Sequence, residues 1–436
     1  MIVNIAILTN AYPYLPGEQF IEDEIGYWAA RTDARVTLLP ALAAGAPRPV
    51  PTGIAVDLGM ARSAKHRRLW FMLLALCSAI FRRELGQLRR SRKTNPRTVV
   101  RALLHTSKVF EQAAQLRRYA GNHGPIDVAY CYWNETQACA AVLARKAGAV
   151  RKVVSRVHGF DLYEARRRDG YMPLKRQFIA DYDAVFALSR EARAYLQRTY
   201  GAPPGKVRVS PLGVPLAGAR ARPSAAGCLR VVSVSSCLRV KRLDRIVGAM
   251  ALLGRRHPDI SMTWTHIGAG PLLEEITAQA RAELRGLGNV TCTFLGELPN
   301  HAVKAYYLNT PVDMLVNASE SEGVPVSIME AMSAGVPAVA PDVGGISSLV
   351  SDRCGVLLGP RPDAREIAEA MERVAFADGR DSRRAQARQA IEAGFDAARN
   401  YRDFVADVIA IGASSDRQPE RAFQRPAYRI RQATRR

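Results

Sequence analysis

The sequence predicts an α/β protein built from two doubly wound domains, and three observations carry that prediction. Short β-branched runs alternate with helical stretches along most of the chain, the pattern of parallel strands joined by crossover helices. Several of the runs are almost continuously apolar, as strands covered on both faces are. One stretch, Leu216 to Gly227, is rich in Ala, Arg, Gly and Pro and lacks periodicity, so it divides the alternation into two series. At 436 residues the chain is also too long for one compact core. The expected domains are 1–215 and 228–412, with a linker at 216–227 and a basic tail at 413–436.

Ile2 to Leu8 opens the first series as a strand. A loop with Pro13, Pro16 and Gly17 follows, then a helix with Phe20, Ile21, Ile25 and Trp28 on one side. Glu18, Glu22, Asp23 and Glu24 fall in its first turns, where carboxylates complement the positive helix end. Further strands are expected at Val36–Leu39, Val128–Tyr132, Val153–Val157, Ala184–Leu188 and Val207–Pro211. A helix runs over Arg190–Tyr200, with Ser189 as its N-cap and Gly201 just past its end. The second series reads LRVVSVSS, ISMTWTHIG, NVTCTFLG, DMLVNAS and PAVAP as strands. Beyond Asp363 the pattern is helical to about Ile411. Two such sheets place a ligand crevice at the carboxyl ends of their strands, between the domains.

Composition narrows the class. A hydrophobic share of 48% excludes wholesale disorder, collagen and coiled coil. The seven Cys form no CxxC pair, so they suggest neither a zinc site nor a disulfide framework, and read as reduced thiols of a cytoplasmic protein. The opening MIVNIAILTNAYP reads as a strand rather than a signal peptide. The longest apolar run, Leu69 to Phe81, is well short of the roughly 20 residues that cross a bilayer.

The formal net charge of +22 points to acidic partners. Ten basic residues against Glu84 lie between Arg62 and Lys93, and seven Arg against Glu420 follow from Arg417 onward. The first cluster brackets LWFMLLALCSAIF, and cationic flanks around Trp, Phe and Leu suit a helix lying on an anionic leaflet. The alternative is a buried helix with solvated ends. The tail is expected to be disordered, with anionic lipid rather than nucleic acid as its partner, because no nucleic-acid recognition module accompanies it.

The densest chemistry lies in NASESEGVPVSIMEAMSAGVPAVAPDVGG, from Asn317. A strand ends near Asn317, a polar turn follows, and a helix begins near Pro325 or Ser327 and stops at Gly335. Its open N-terminus is a ready site for phosphate, and Gly323 allows close backbone approach. Glu322 and Glu330, eight positions apart, can both face one ligand, and carboxylates accept the paired hydrogen bonds of vicinal hydroxyls.

This segment resembles the signature of glycosyltransferase family 4 (group 1), with its E-x7-E motif at Glu322 and Glu330. The resemblance implies the GT-B architecture of two Rossmann-like domains and transfer of a sugar from a nucleotide sugar with retention of configuration. It implies that Glu330 holds the donor ribose, that Glu322 contacts the donor sugar, and that the amides of Gly323 and Val324 line the sugar-phosphate pocket. SRVHGFDLYEARRRDGYMPLKRQF resembles the acceptor-domain stretch of enzymes that build bacterial surface polysaccharides, with His158 beside the donor sugar and Asp161 a weaker candidate. The loop YPYLPGEQF corresponds to the family's first strand-to-helix loop, with Gly17 near donor phosphate or acceptor. In SVSSCLRVKRLDRIV, Lys241 matches the lysine that meets the diphosphate. Ser236 stands five positions earlier, where the family usually has Arg, and Arg239 or Arg242 could replace that charge. Leu295 to Glu297 would contact the nucleotide base.

These residues imply a departing diphosphate neutralised by Lys241 and the helix end near Gly323. No Asp-x-Asp stands at a strand end, so no cofactor or metal is expected. No Ser/His/Asp or Cys/His set stands out as a protein nucleophile, in keeping with front-face attack in which His158 and Glu322 orient and assist. The expected partners are a nucleotide-sugar donor and a glycan or lipid-linked acceptor, met in the cytoplasm at the inner face of the plasma membrane. Two other enzyme readings share these sheets: a nucleotide-sugar epimerase, and a dinucleotide oxidoreductase at Gly268-Ala269-Gly270, where Leu273 replaces the third glycine. A binding protein without activity would keep the fold and lose the Lys/Glu set.

Overall fold

The computed structural model describes residues 2–15, 18, 20–62, 65–167 and 169–414. Gly17 and the tail from 415 onward, both singled out above, lie outside the described residues. The first sheet contains β1 (Val3–Thr9), β2 (Ala34–Pro40), β3 (Ile54–Val56), β4 (Ile126–Cys131), β5 (Val150–Val157), β6 (Ala184–Ala187) and β7 (Val207–Val209). Its order is β3-β2-β1-β4-β5-β6-β7. The second contains β8 (Cys228–Val234), β9 (Ser261–Ile267), β10 (Val290–Phe294), β11 (Met314–Val316), β12 (Ala338–Pro341) and β13 (Gly355–Leu358), in the order β10-β9-β8-β11-β12-β13. Neighbouring strands pair in parallel in both sheets, as β1 with β4 and β8 with β11 do. Strand order reverses beside β1 and beside β8, and the carboxyl ends at these switch points face the crevice.

Burial explains the legible strands: β4 is buried along its whole length, as helices on both faces require. The unanticipated β3 is a three-residue edge strand with partly exposed residues. The unanticipated β13 pairs with β12 from the opposite edge.

Three readings change. The apolar run Leu69 to Phe81 is not one helix but two, Lys65–Leu76 and Ala79–Arg90. The break occurs because the Ser78 side chain accepts the Phe81 amide at 3.1 Å and starts a new helix. The first of the pair leaves Leu69, Trp70, Leu73, Leu74 and Leu76 between 41 and 60% exposed, so the buried-helix alternative does not hold. Glu18 lies ahead of helix Ile21–Ala29 rather than in its first turns, whereas Glu24 is in the first turn as expected. Glu24 is buried, accepts Trp28 Nε1–H at 3.0 Å, and meets the guanidinium of the fully buried Arg156 at 2.6 Å, because a buried guanidinium requires an opposite charge.

The third change concerns the domain range 228–412. Helix Ala397–Ala413 returns to the first sheet and packs on β1, β4 and β5. Phe404 lies against Trp28, Tyr130 and Phe186, so apolar burial takes this helix out of the second domain. The linker is no free tether. The Val214 amide donates to Phe395 O at 2.9 Å, Ala397 N donates to Val214 O at 3.2 Å, and Ala221 N donates to Ala334 O at 2.8 Å.

Candidate functional site

In the second lobe the site grows from the end of β11. The Asn317 side chain accepts the Ser319 amide at 2.9 Å and shapes the turn. Helix Val326–Ser333 follows, one residue past the expected proline. The turn is clamped from behind by Gly344 and Gly345. Gly344 has φ +62, and a Cβ there would lie 1.9 Å from Glu322 O. The Gly345 amide donates to Gly323 O at 2.6 Å. Only glycine allows this approach, which gives the two glycines of the signature a structural reason.

Lys241 lies on the short helical turn Arg239–Lys241, tied to the acidic loop by the Glu320 amide donating to Val240 O at 2.8 Å. Its Nζ meets Glu322 Oε1 at 2.6 Å. Burial would raise the Glu322 carboxyl, but the Lys241 ammonium and hydrogen bonds from Ser319 and Asn317 hold it below its ordinary value. Glu322 is therefore held as a carboxylate, an acceptor directly beside the Lys241 side chain. Val324 is buried next to them.

Glu330 takes other partners. It is buried and accepts the Asn300 side chain at 2.6 Å. Burial pushes its carboxyl up to about 7, against the lowering effects of Asn300 and Lys304. Arg242 is engaged by Asp244 at 2.8 Å and Glu320 at 2.6 Å. Arg239 is exposed and, with Arg242, lines a separate cavity of about 330 Å³ that also includes Cys237 and Leu272. Leu295 and Glu297 are exposed beyond the end of β10, with the Leu295 amide on His266 O at 3.0 Å. Gly268 and Gly270 press against the loop after β8: Cβ atoms there would lie 1.9 Å from Ser235 O and 2.8 Å from Cys237 N. Loop packing requires these glycines.

In the first lobe His158 follows β5 directly. Its ring stacks on Tyr132 at 5.0 Å and lies 4.5 Å from Trp133 and 5.7 Å from Phe20. Both ring nitrogens are buried and, among the described residues, lack a hydrogen-bond partner, with Asp161 Oδ2 4.0 Å from Nδ1. Aromatic faces and the Asp161 carboxylate thus hold the imidazole in place. Asp161 accepts the His158 amide at 2.6 Å and the Asn134 amide at 2.8 Å. The buried Lys175 donates to Asn134 Oδ1 at 2.6 Å and to Asp161 O, which fixes the loop that carries His158.

The lobes meet at two glycines. A Cβ on Gly159 would lie 2.9 Å from Gly323 N, and one on Gly323 would lie 3.1 Å from Gly159 N. This brings His158 beside the Glu322–Gly323 turn. Arg166 Nε donates to Ser321 Oγ at 2.6 Å, and Lys304 meets Asp23 at 3.2 Å across the same gap. On the first-lobe side a cavity of about 340 Å³ opens, with Arg101, Asn134, Phe160, Arg166 and Arg167 in its lining. The structure thus gathers His158, Lys241, Glu322, Gly323 and Val324 and gives Glu330 a separate partner. Sequence reading passed over Asn300, Arg166 and Ser321 because their partners lie 30 and 155 positions away. It also passed over the function of Glu18, whose carboxylate accepts the amides of Asn10, Ala11 and Tyr12 at 2.6–3.0 Å.

Comparison with known proteins identifies the family and the fold. Residues 223–393 match the family described as Glycosyl transferases group 1, and residues 77–217 match Glycosyltransferase Family 4. The chain is 28% identical over 258 residues to WcaL of Escherichia coli, a protein named for colanic acid biosynthesis, covering 56% of this chain and 60% of that one. It is 25% identical over 230 residues to the amylovoran biosynthesis glycosyltransferase AmsK of Erwinia amylovora, covering 51% and 55%. The matched part thus spans less than two thirds of these relatives. Among solved structures, the lipopolysaccharide outer core galactosyltransferase WaaB has a TM-score of 0.65 at 15% identity, covering 94% of this chain and 99% of its own. Anabaena HepE in complex with UDP and glucose has a TM-score of 0.60 at 17% identity, covering 93% and 99%. With one family match in each lobe and a GT-B fold throughout, the chain belongs to the group 1 glycosyl transferases of family 4.

Proposed function

We propose that the protein is a retaining glycosyltransferase that moves a sugar from a nucleotide-sugar donor to a glycan or lipid-linked glycan acceptor in bacterial polysaccharide biosynthesis. The observation that carries this reading is the Lys241–Glu322 pair at 2.6 Å, on the turn that meets the His158–Gly159 backbone at the Gly159–Gly323 contact. Negative charge grows on the leaving diphosphate as the anomeric bond breaks. Lys241 and the amides of Gly323 and Val324 meet that charge where it develops, in a site prepared before the reaction, and this is our reason for expecting activity without a metal. Glu322 and His158 hold the sugar hydroxyls, Glu330 the ribose, and Leu295 to Glu297 the base. The acceptor hydroxyl approaches from the first lobe, on the same face as the leaving phosphate, which takes its proton.

WcaL and AmsK are named for surface-polysaccharide synthesis, and HepE is described with UDP and glucose; these support the donor class and the setting. Among the described residues no helix is long and apolar enough to cross a membrane. The exposed Leu69, Trp70, Leu73, Leu74 and Leu76, beside Arg67 and Arg68, support docking of the first lobe on an anionic leaflet at the inner face of the membrane. The test is a screen of nucleotide sugars for thermal stabilisation, since a donor that binds the folded state raises its stability by mass action. Product analysis with and without acceptor follows. Transfer with retained configuration supports the reading; epimerised nucleotide sugar formed without acceptor refutes it.

A further inference from the structure

We propose that Arg166, reaching across from the first lobe, supplies the second cation for the donor diphosphate, in place of an arginine at position 236. The inference rests on the glycosyltransferase reading above and names one more residue of that site. Ser236 is exposed and uncharged. Of the two nearby candidates, Arg239 is exposed and lines the separate second-lobe cavity. Arg242 is engaged by Asp244 through Nε and Nη2 and by Glu320 through Nη1. Neither faces the Glu322–Gly323 turn.

Arg166 does. Its Nε donates to Ser321 Oγ at 2.6 Å, one position before Glu322. A Cβ built on Gly159 would lie 2.3 Å from Arg166 Nη1 and 2.9 Å from Gly323 N, so guanidinium and amide flank the same point. Its Nη2 is buried and, among the described residues, has no hydrogen-bond partner. A buried, unspent guanidinium N–H costs free energy unless a ligand takes it. The fork geometry of arginine matches a phosphate with two parallel donors, which a lysine ammonium does not do. Burial pulls the Arg166 pKa down and Glu322 raises it, yet a guanidinium remains charged throughout the accessible pH range.

The position has a mechanical consequence. Lys241 belongs to the same lobe as the acidic turn, whereas Arg166 comes from the other, so it reaches the diphosphate only while Gly159 and Gly323 are in contact. Diphosphate binding and lobe closure are thereby coupled through one side chain.

The test uses the full-length chain and calorimetric titration with UDP, GDP, ADP and dTDP, each against its monophosphate. For the diphosphate that the wild type binds, Arg166→Gln is expected to weaken affinity by about tenfold to a hundredfold and to leave the monophosphate within twofold. Adding Ser236→Arg to Arg166→Gln is expected to restore most of the loss. Diphosphate affinity unchanged in Arg166→Gln overturns the proposal, and so does an equal loss for both phosphates, the mark of a merely structural residue. Absence of recovery with Ser236→Arg also overturns it. Should Arg166→Gln fail to fold, Ser321→Ala, which releases the Arg166 Nε–H, is expected to weaken the diphosphate alone by severalfold; no change overturns the proposal. Lys241→Ala keeps the two levels apart: if it too binds diphosphate normally, or if the wild type binds none of the four, the glycosyltransferase reading itself fails.

Discussion

Glu330→Gln separates what the site needs from what the fold prefers. In the folded protein burial pushes this carboxyl from 4.5 up to about 7. At about 1.4 kcal/mol per pH unit, that interval corresponds to roughly 3 kcal/mol of preference for the neutral form. The folded state therefore holds a proton that the unfolded chain has released, and the associated stability is complete below pH 4.5 and lost as pH rises through about 7. Glutamine keeps the volume and can still accept the Asn300 N–H that Glu330 accepts at 2.6 Å, but it carries no charge. The variant should match the wild type near pH 4.5 and exceed it by roughly 3 kcal/mol above pH 8, read from denaturant midpoints across that range. Nucleotide binding should move the other way. A neutral acceptor forms weaker hydrogen bonds to the ribose diol than a carboxylate, so the donor should bind about tenfold more weakly at pH 8. Wild-type donor affinity should itself fall as pH drops below 7. A variant less stable than the wild type at pH 8, or one with undiminished nucleotide affinity, would refute the reasoning.

Further expectations follow from other contacts. Lys241→Ala leaves the buried Glu322 carboxylate unpaired and should lower donor turnover by a hundredfold or more, with the Glu322 carboxyl titrating at higher pH by carbon-13 NMR. Gly159→Ala meets the Arg166 guanidinium at 2.3 Å and the Gly323 backbone at 2.9 Å; it should displace that arginine, hold the lobes apart and cut turnover about tenfold, while thermal stability changes by less than about 1 kcal/mol. Glu24→Ala isolates the buried Arg156 guanidinium and should cost about 3–5 kcal/mol in denaturant unfolding. Trp70→Glu with Leu73→Glu should abolish flotation with phosphatidylglycerol vesicles without altering nucleotide affinity; unchanged flotation counts against membrane docking through this helix.

What the sequence made legible follows from the range of each interaction. The strands were readable because burial on both faces leaves a local apolar run, as in Ile126–Cys131. The turn before Val326 was readable because Glu322, Gly323 and Pro325 are neighbours. Local signals gave no access to pairings across the chain: Arg166 with Ser321, Asn300 with Glu330, Arg156 with Glu24. They also misplaced the last helix, since an amphipathic stretch shows that one face is buried but not which sheet covers it. The exposed face of Lys65–Leu76 was signalled by composition, but its end at Leu76 depended on one serine side chain capping the next helix.

The return of Ala397–Ala413 to the first sheet means that the polypeptide passes between the lobes twice, with Val214 hydrogen-bonded to Phe395 and Ala397 where the passages run together. Two passages zipped to one another act as a single pivot and restrict sliding or twisting of the lobes. The same route makes the halves inseparable by simple scissors. A fragment ending near residue 227 lacks Phe404, Val405 and Val408 from its core, and a fragment beginning there carries them with nothing to cover.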